Sequence, residues 1–303
     1  MTPRIGFIGI GMMGHGMARN LLAKDYALTF KANRQRDRLA DLLEAGAIEA
    51  TTNAEVARTT DIVFICVSSS PQVEDIVWGA EGIAMAARPG LIVVDTSTAE
   101  PSSTARIRAD LATRGAIYVD APLARTPKEA EEGRLNTMVG AEPADFATLE
   151  PVLKAFCENV FHVGPPGSGH VLKLVNNMLA MTTAAAIAEA AAVAAKNGLP
   201  LDKLYDVVSA GGVNSGIFQM MFGQMLLGNL GGLKFAIGNG QKDLRYYTHL
   251  AEASAVPSFI GEAAHQSFVQ AANLGHGEKF IASLFEAQEQ TAQVRITHQR
   301  RQP

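Results

Sequence analysis

Cysteine is nearly absent: Cys66 and Cys157 are the only two in 303 residues. Two thiols build no disulfide framework, and Cys66 lies inside the apolar run DIVFICV, where it reads as a buried thiol; a reducing cytoplasm fits. The seven histidines are scattered, with no HExxH and no paired Cys/His spacing, so no metal site is expected. Neither sign of charge dominates: 26 Lys and Arg against 30 Asp and Glu leave −4, which recruits neither nucleic acid nor an anionic membrane. The chain runs at once into RIGFIGIG, too short for the apolar stretch of a signal peptide. No uninterrupted, glycine-free apolar run is long enough to span a membrane outside one Ala-rich stretch, which carries Glu189. A soluble, cytoplasmic protein is expected. Apolar residues, in contrast, make up 48% of the chain and charged ones only 18%, ample for a sizeable core, and the length suggests two domains. The basic end RITHQRRQP reads as a solvated tail.

From residue 4 to about 163, apolar runs recur: IGFIGI (5–10), ALTFKA (27–32), IVFICV (62–67), LIVVDT (91–96), AIYVDA (116–121) and NTMVGA (136–141). Helix-like stretches such as 15–24, 36–45, 71–77 and 101–114 lie between most of them. This alternation predicts an α/β domain over 1–164, with a parallel, doubly wound sheet covered on both faces. At VGPPGSG (163–169) the strand-like runs stop and Ala-rich helical sequence begins. Ser168 is a candidate cap, and KNGLP (196–200) ends the helix at Gly198 and Pro200. About 26 residues at 1.5 Å each span roughly 39 Å, long enough to run past one domain and join two. The rest, completing a second domain over 165–303, reads as all-helical, with breaks at 210–216, 227–232, 255–258 and 273–277.

Gly9, Gly11 and Gly14 form GxGxxG directly after the first strand and at the start of a helix. That context supplies a tight turn, close backbone approach to a pyrophosphate and free N–H groups at a helix N-terminus, so a dinucleotide is expected. At the end of the second strand an NAD site usually places a carboxylate for the ribose 2′-hydroxyl. This chain reads KANRQRDR instead. Asn33 and Arg34 are expected to accept a 2′-phosphate, which favours NADP(H) with NAD(H) still possible, whereas Arg36 and Arg38 read as a solvated basic helix start.

In GHVLKLVNNML (169–179), Lys173 and Asn177 are four apart and share a helix face. A lysine against an apolar wall near the domain junction loses hydration, which eases its deprotonation and suits it to acid–base work. Its ammonium would both stabilise and protonate a carbonyl oxygen during hydride transfer, with Asn177 holding the lysine or that oxygen. By spacing alone, a lysine reaching solvent and asparagines serving the backbone explain the pattern about as well.

Four segments in order, GFIGIGMMGHGMARNL (6–21), DAPLARTPKEAEEGRLNTMVG (120–140), GSGHVLKLVNN (167–177) and QKDL (241–244), resemble the β-hydroxyacid dehydrogenase family over nearly the whole chain. That family includes 3-hydroxyisobutyrate dehydrogenases and tartronate semialdehyde reductases. The resemblance implies a Rossmann domain, a long interdomain helix and an all-helical domain that builds homodimers or homotetramers. It makes Lys173 the acid/base, with Asn176 and Asn177 near the substrate. It puts Lys242, Met12, Met13, Val67 and Thr98 beside the cofactor. The implied reaction is metal-independent hydride transfer between nicotinamide and a small 3-hydroxy acid or its aldehydo- or keto-acid.

The family's substrate segment usually reads D-A-P-V-S-G-G. Here Ala124, Arg125 and Thr126 replace the serine and both glycines. Arg125 and Thr126 are therefore expected to bind an acid group or second polar group of the substrate. The alternative is an Arg125 turned outward to Glu129 or Glu131. A similar Gly-Arg-Thr occurs in sulfolactaldehyde reductases of the family, so a sulfonated or phosphonated aldehyde stays open. GGVNSGIF (211–218) resembles the segment that closes on substrate and nominates Asn214, Ser215 and Phe218, although a helix-breaking turn explains its glycines equally well. Imine reduction and non-catalytic cofactor binding are the remaining alternatives, both disfavoured by the retained Lys173.

Overall fold

The structure, a computed structural model, describes residues 2–32, 36 and 38–297. In order, the chain forms β1 (Ile5–Ile8), α1 (Met12–Leu22), β2 (Leu28–Lys31), α2 (Ala40–Glu44), β3 (Ile48–Glu49), α3 (Asn53–Thr59), β4 (Ile62–Ile65) and α4 (Ser70–Trp78). There follow β5 (Ile92–Asp95), α5 (Pro101–Thr113), β6 (Ile117–Asp120), β7 (Leu123–Ala124), α6 (Pro127–Glu131), β8 (Leu135–Gly140), α7 (Pro143–Leu153) and β9 (Cys157–Gly164). Strands β3-β2-β1-β4-β5-β6 are parallel neighbours in that spatial order. This is the doubly wound dinucleotide-binding arrangement. The runs of buried Ile, Val and Phe supply both faces. Ile5, Phe7, Ile62, Phe64 and Val94 join one apolar cluster, while Ile8, Val63, Ile65 and Val93 join the other.

The run at 136–141 departs from the all-parallel pattern. β8 pairs antiparallel with β6 and β7, and β9 then adds parallel to β8. The connection explains the reversal: α6 has five residues, a rise of about 7.5 Å, whereas a six-residue strand spans about 20 Å. Such a helix cannot return the chain to the start of the sheet, so it re-enters the other way.

The helix α8 (Ser168–Lys196) has 29 residues. Ser168 opens it rather than capping it from outside, and Gly167 before it takes φ +99°. After it come α9 (Leu201–Ala210), α10 (Gly216–Phe218), a π turn at Gln219–Gly223, α11 (Gln224–Leu226), α12 (Ile237–Ala253), α13 (Phe259–Ala271), a π turn at Ala272–His276 and α14 (Leu284–Ala292). α8 is long and apolar enough to cross a membrane by length and composition. Its small side chains serve a packed core: Ala184, Ala188 and Ala191 are buried with Phe222, Phe268 and Phe285. The close approach extends to α12, where a Cβ on Gly240 would sit 2.5 Å from the Phe268 ring.

The chain divides into two compact units, Met1–Lys173 and Leu174–Pro303. The composition change places a boundary at 164/165, yet the first turns of α8 belong with the first unit. One side chain accounts for this. Asp120, at the end of β6, accepts hydrogen bonds from the backbone N–H of Gly167 (2.6 Å) and of His170 (2.8 Å).

Candidate active site

The three glycines of the first turn have different reasons to be there. Gly9 has φ +105°, and a Cβ on it would lie 2.2 Å from the Cys66 carbonyl oxygen; one on Gly14 would lie 2.1 Å from the Gly9 carbonyl oxygen. Both are demanded by packing. A Cβ on Gly11 would meet nothing within 4 Å, so no protein atom requires a glycine there. Gly11 is the N-cap of α1, contributes no capping side chain, and the first turn of α1 carries no acidic residue. The helix start thus has open space beside Gly11 and no acidic residue of its own in the first turn, which suits an anion. Met12 is exposed, whereas Met13 packs on the core. Val67 follows β4, its Cγ1 3.1 Å from a Cβ built on Gly9, and its N–H donates to Ser97 Oγ at 3.0 Å. Thr98 follows Ser97. Gly9, Val67 and Thr98 thereby gather at the carboxyl ends of β1, β4 and β5, where doubly wound sheets bind ligands. Asn33 and Arg34 lie outside the described residues. Arg36 pairs with Glu49 at 2.9 Å.

Behind this edge lies a buried polar network that the motif reading passed over. Tyr118 donates to Asp95 at 2.8 Å. Burial, then the Asp95 charge, keeps the Tyr118 hydroxyl protonated well above its ordinary range. Asp95 also accepts from the Ser97 N–H at 2.9 Å. His170 is fully buried, its Nδ1 2.7 Å from Thr104 Oγ1 and its Nε2 3.2 Å from the Ser97 carbonyl. A carbonyl can only accept, so Nε2 carries a proton. The legible signal was two carboxylates ending apolar strands, Asp95 in LIVVD and Asp120 in AIYVD, which must find donors when buried.

The substrate segment folds around Arg125. Ala124 pairs with Asn136 across β7 and β8. Arg125 adopts φ +84°, a region that favours glycine. Its Nη1 contacts both the Glu158 carboxylate and the Arg134 carbonyl. The partner is Glu158 on β9, not Glu129 or Glu131. The guanidinium holds the Glu158 carboxyl below its ordinary range. Thr126 is the N-cap of α6. Its N–H and hydroxyl both reach Glu129 Oε2, at 3.0 and 2.5 Å, so the hydroxyl is engaged in the cap rather than offered to a ligand.

On α8 the expected amphipathicity is inverted. Lys173 and Asn177 are buried at 9% and 6% exposure, whereas Val171, Leu172 and Val175 are 37–40% exposed. Of the apolar residues around Lys173 in the sequence, only Leu174 is buried with it. Asn177 donates through Nδ2 to Asp243 at 2.6 Å, and Asn176 Nδ2 lies 3.3 Å from Asn177 Oδ1. The other Asp243 oxygen lies 2.8 Å from Lys242 Nζ, which also sits 4.9 Å above the Tyr246 ring. Asp243, unmarked by the sequence reading, thus orients both an asparagine of α8 and the lysine of QKDL. The segment at 211–218 is structural in its details. Asn214 donates to the Ser209 carbonyl and accepts from Gln219, Ser215 caps α10, and Phe218 is a core residue stacked with both Tyr205 and Phe222.

Residues 4–164 match the family described as the NAD binding domain of 6-phosphogluconate dehydrogenase. Residues 167–286 match that described as NAD-binding of NADP-dependent 3-hydroxyisobutyrate dehydrogenase. The chain is 32% identical to 2-(hydroxymethyl)glutarate dehydrogenase of Eubacterium barkeri, with 97% of each chain covered. It is 31% identical to L-threonate dehydrogenase of Cupriavidus necator, over 91% of this chain and 93% of the other. The protein belongs to the β-hydroxyacid dehydrogenase family. Among solved structures, a 3-hydroxyisobutyrate dehydrogenase from Salmonella typhimurium superposes with a TM-score of 0.79 at 30% identity, covering 93% of this chain and 99% of that one. The dehydrogenase is accordingly a nicotinamide-dependent, hydride-transferring oxidoreductase. The open N-terminus of α1 above Gly11 fits the dinucleotide that the family uses.

Proposed function

We propose that the dehydrogenase interconverts a small 3-hydroxy acid and the corresponding aldehydo- or keto-acid, with Lys173 as the proton donor and acceptor and NADP(H) as the preferred cofactor. The observation that carries the reading is Lys173 itself, an amine buried on α8 one turn before a buried Asn177. Bound nicotinamide supplies or takes the hydride at the carbonyl carbon. In the reducing direction Lys173 Nζ gives a proton to the carbonyl oxygen as negative charge builds there. In the oxidising direction it removes the hydroxyl proton. Asp243 fixes the Asn177 amide so that its remaining polar capacity is directed rather than free to rotate. Arg125 contributes positive charge toward the acid group of the substrate, and Asn33 and Arg34 accept the 2′-phosphate.

The test is NADPH and NADH oxidation by the purified protein against a panel of small aldehydo- and keto-acids, including a sulfonate and a phosphonate. Lys173→Ala is expected to lower kcat by about 10²–10⁴-fold while NADPH still binds, as read by quenching of nucleotide fluorescence. Turnover retained in Lys173→Ala removes the assigned role. Equal kcat/KM with NADH and NADPH removes the cofactor preference.

A further inference from the structure

His15 follows the glycine turn by one residue, in the first turns of α1, and it is buried to 8% exposure. Nothing in a dinucleotide-binding turn calls for a histidine there. Both of its ring nitrogens face carboxylates. Nδ1 lies 2.9 Å from Glu131 Oε1 on α6, and Nε2 lies 3.0 and 3.1 Å from the two oxygens of Asp41 on α2. Carboxylates only accept, so both contacts are satisfied only when both nitrogens carry protons. The neutral ring would leave one nitrogen lone pair against a carboxylate oxygen.

The surroundings make this histidine a junction of three helices. A Cβ on Gly16 would lie 2.5–2.7 Å from the backbone of Ala130 and Glu131, so α6 rests directly on α1. Asn20 Nδ2 donates to the Ala130 carbonyl, and Arg19 reaches both the Glu131 carbonyl and its carboxylate. The charged groups about the ring are therefore Asp41 from α2, Glu131 from α6 and Arg19 from α1. Among the described residues, β1 contributes none, and on β2 Lys31 turns its Nζ to the Ala32 carbonyl at 2.7 Å. α6 follows the Leu123–Thr126 segment, α2 follows the residues assigned to the ribose phosphate, and α1 carries the open N-terminus. Protonated, the cluster of His15, Arg19, Asp41 and Glu131 has no net charge; with neutral His15 it has one negative charge within the first turns of the helix that meets the phosphates.

We propose that His15, as the imidazolium, fastens α2 and α6 to the cofactor helix and cancels their carboxylate charge, so that affinity for the anionic cofactor falls when His15 loses its proton. Burial alone disfavours the charged ring, but the hydrogen bonds and charges of Glu131 and Asp41 outweigh it, and His15 titrates above its ordinary value. The sign follows: the tie is complete below the ordinary histidine range and is lost as pH rises through the elevated value. His15 is a positioning residue; it does not touch the reacting atoms. The inference rests on the nicotinamide reading above.

Direct titration with NADPH from pH 5.5 to 9, read by nucleotide fluorescence, tests it. For the wild-type protein, Kd is expected to rise about three- to tenfold across a single titration above pH 6.5. In His15→Gln, Kd is expected at the weak plateau and flat above about pH 7, where the phosphate of NADPH is fully ionised. Glu131→Gln keeps the histidine and is expected to shift the midpoint downward, so the proposal is still tested where His15→Gln folds poorly. A pH-independent wild-type Kd, the same slope in His15→Gln, or an unmoved midpoint in Glu131→Gln would overturn it. Failure of the wild-type protein to bind either NADPH or NADH at any pH would overturn the nicotinamide reading itself.

Discussion

Asp120 gives the sharpest test of how the first unit holds the start of α8. The side chain is fully buried, and each oxygen takes one backbone N–H, from Gly167 at 2.6 Å and His170 at 2.8 Å. Asp120→Asn preserves shape and volume but turns one acceptor into an amide that faces a backbone donor. One charge-assisted bond is lost, about 1.5–3 kcal/mol, and one buried donor is stranded, about 1–3 kcal/mol more. Relief of burying a charge offsets part of this, leaving about 2–4 kcal/mol. No rotamer escapes the clash, because a Cβ on Gly140 or Gly169 would already meet the Asp120 carboxylate within 2.8 Å, so the group has no room to turn. The chain has one tryptophan, Trp78, in α4 of the first unit and bonded to Asp110 at 2.9 Å, so its fluorescence reports urea unfolding of this unit. Amide exchange at Gly167 and His170 should accelerate at least about tenfold. A stability within about 0.5 kcal/mol of wild type, with exchange unchanged at both amides, would refute the claim that one carboxylate binds α8 to the sheet.

Three further outcomes are expected. Because Arg125 sits at φ +84°, Arg125→Gly should unfold about 1 kcal/mol later than Arg125→Ala in the same urea assay, although it removes more side chain; the reverse order would refute the backbone argument. Both variants should raise KM for an anionic substrate about tenfold and by the same factor, whereas an unchanged KM would leave Arg125 an anchor for Glu158 alone. Neither cysteine should label readily with iodoacetamide at pH 8. Burial, against a weaker opposing bond to Thr96, pushes the Cys66 thiol up to about 11, and burial pushes Cys157 higher still. Rapid labelling of the folded protein would contradict this.

The parallel half of the sheet was legible because buried strands and intervening helices differ in length and in β-branched content, and those differences are local. β9 was not legible: Cys157–Gly164 lacks alternation, with Glu158 and Asn159 together, then Val160 and a half-exposed Phe161, and only its register with β8 makes it a strand. The helix of Pro143–Leu153 was hidden for another reason, a proline inside it at Pro151. Within the site, Gly9, Gly11 and Gly14 share a motif, yet only three dimensions separate the two that packing demands from the one that leaves space for a ligand. Asp243 shows the limit from the other side. It stands beside Lys242 in QKDL and lies 66 positions from Asn177, and no periodicity within either segment announces that they meet.

Residues flanking Lys173 in the sequence are apolar, and a helical reading places it against them; in the structure Val171, Leu172 and Val175 turn outward while Lys173, Leu174 and Asn177 turn in. Hydrophobic burial alone would rotate α8 the other way, hiding two valines and a leucine at about 1.5–3 kcal/mol for each side chain fully buried. The rotation that is observed must be held by something stronger at the helix start. The two N–H bonds to Asp120 and the His170 contacts with Thr104 and Ser97 occupy that place. A buried polar cluster at one end of a helix thus sets which face the next turn presents. The consequence is that an amine is kept inside while three apolar side chains stay partly exposed, an arrangement that hydrophobic burial by itself does not select.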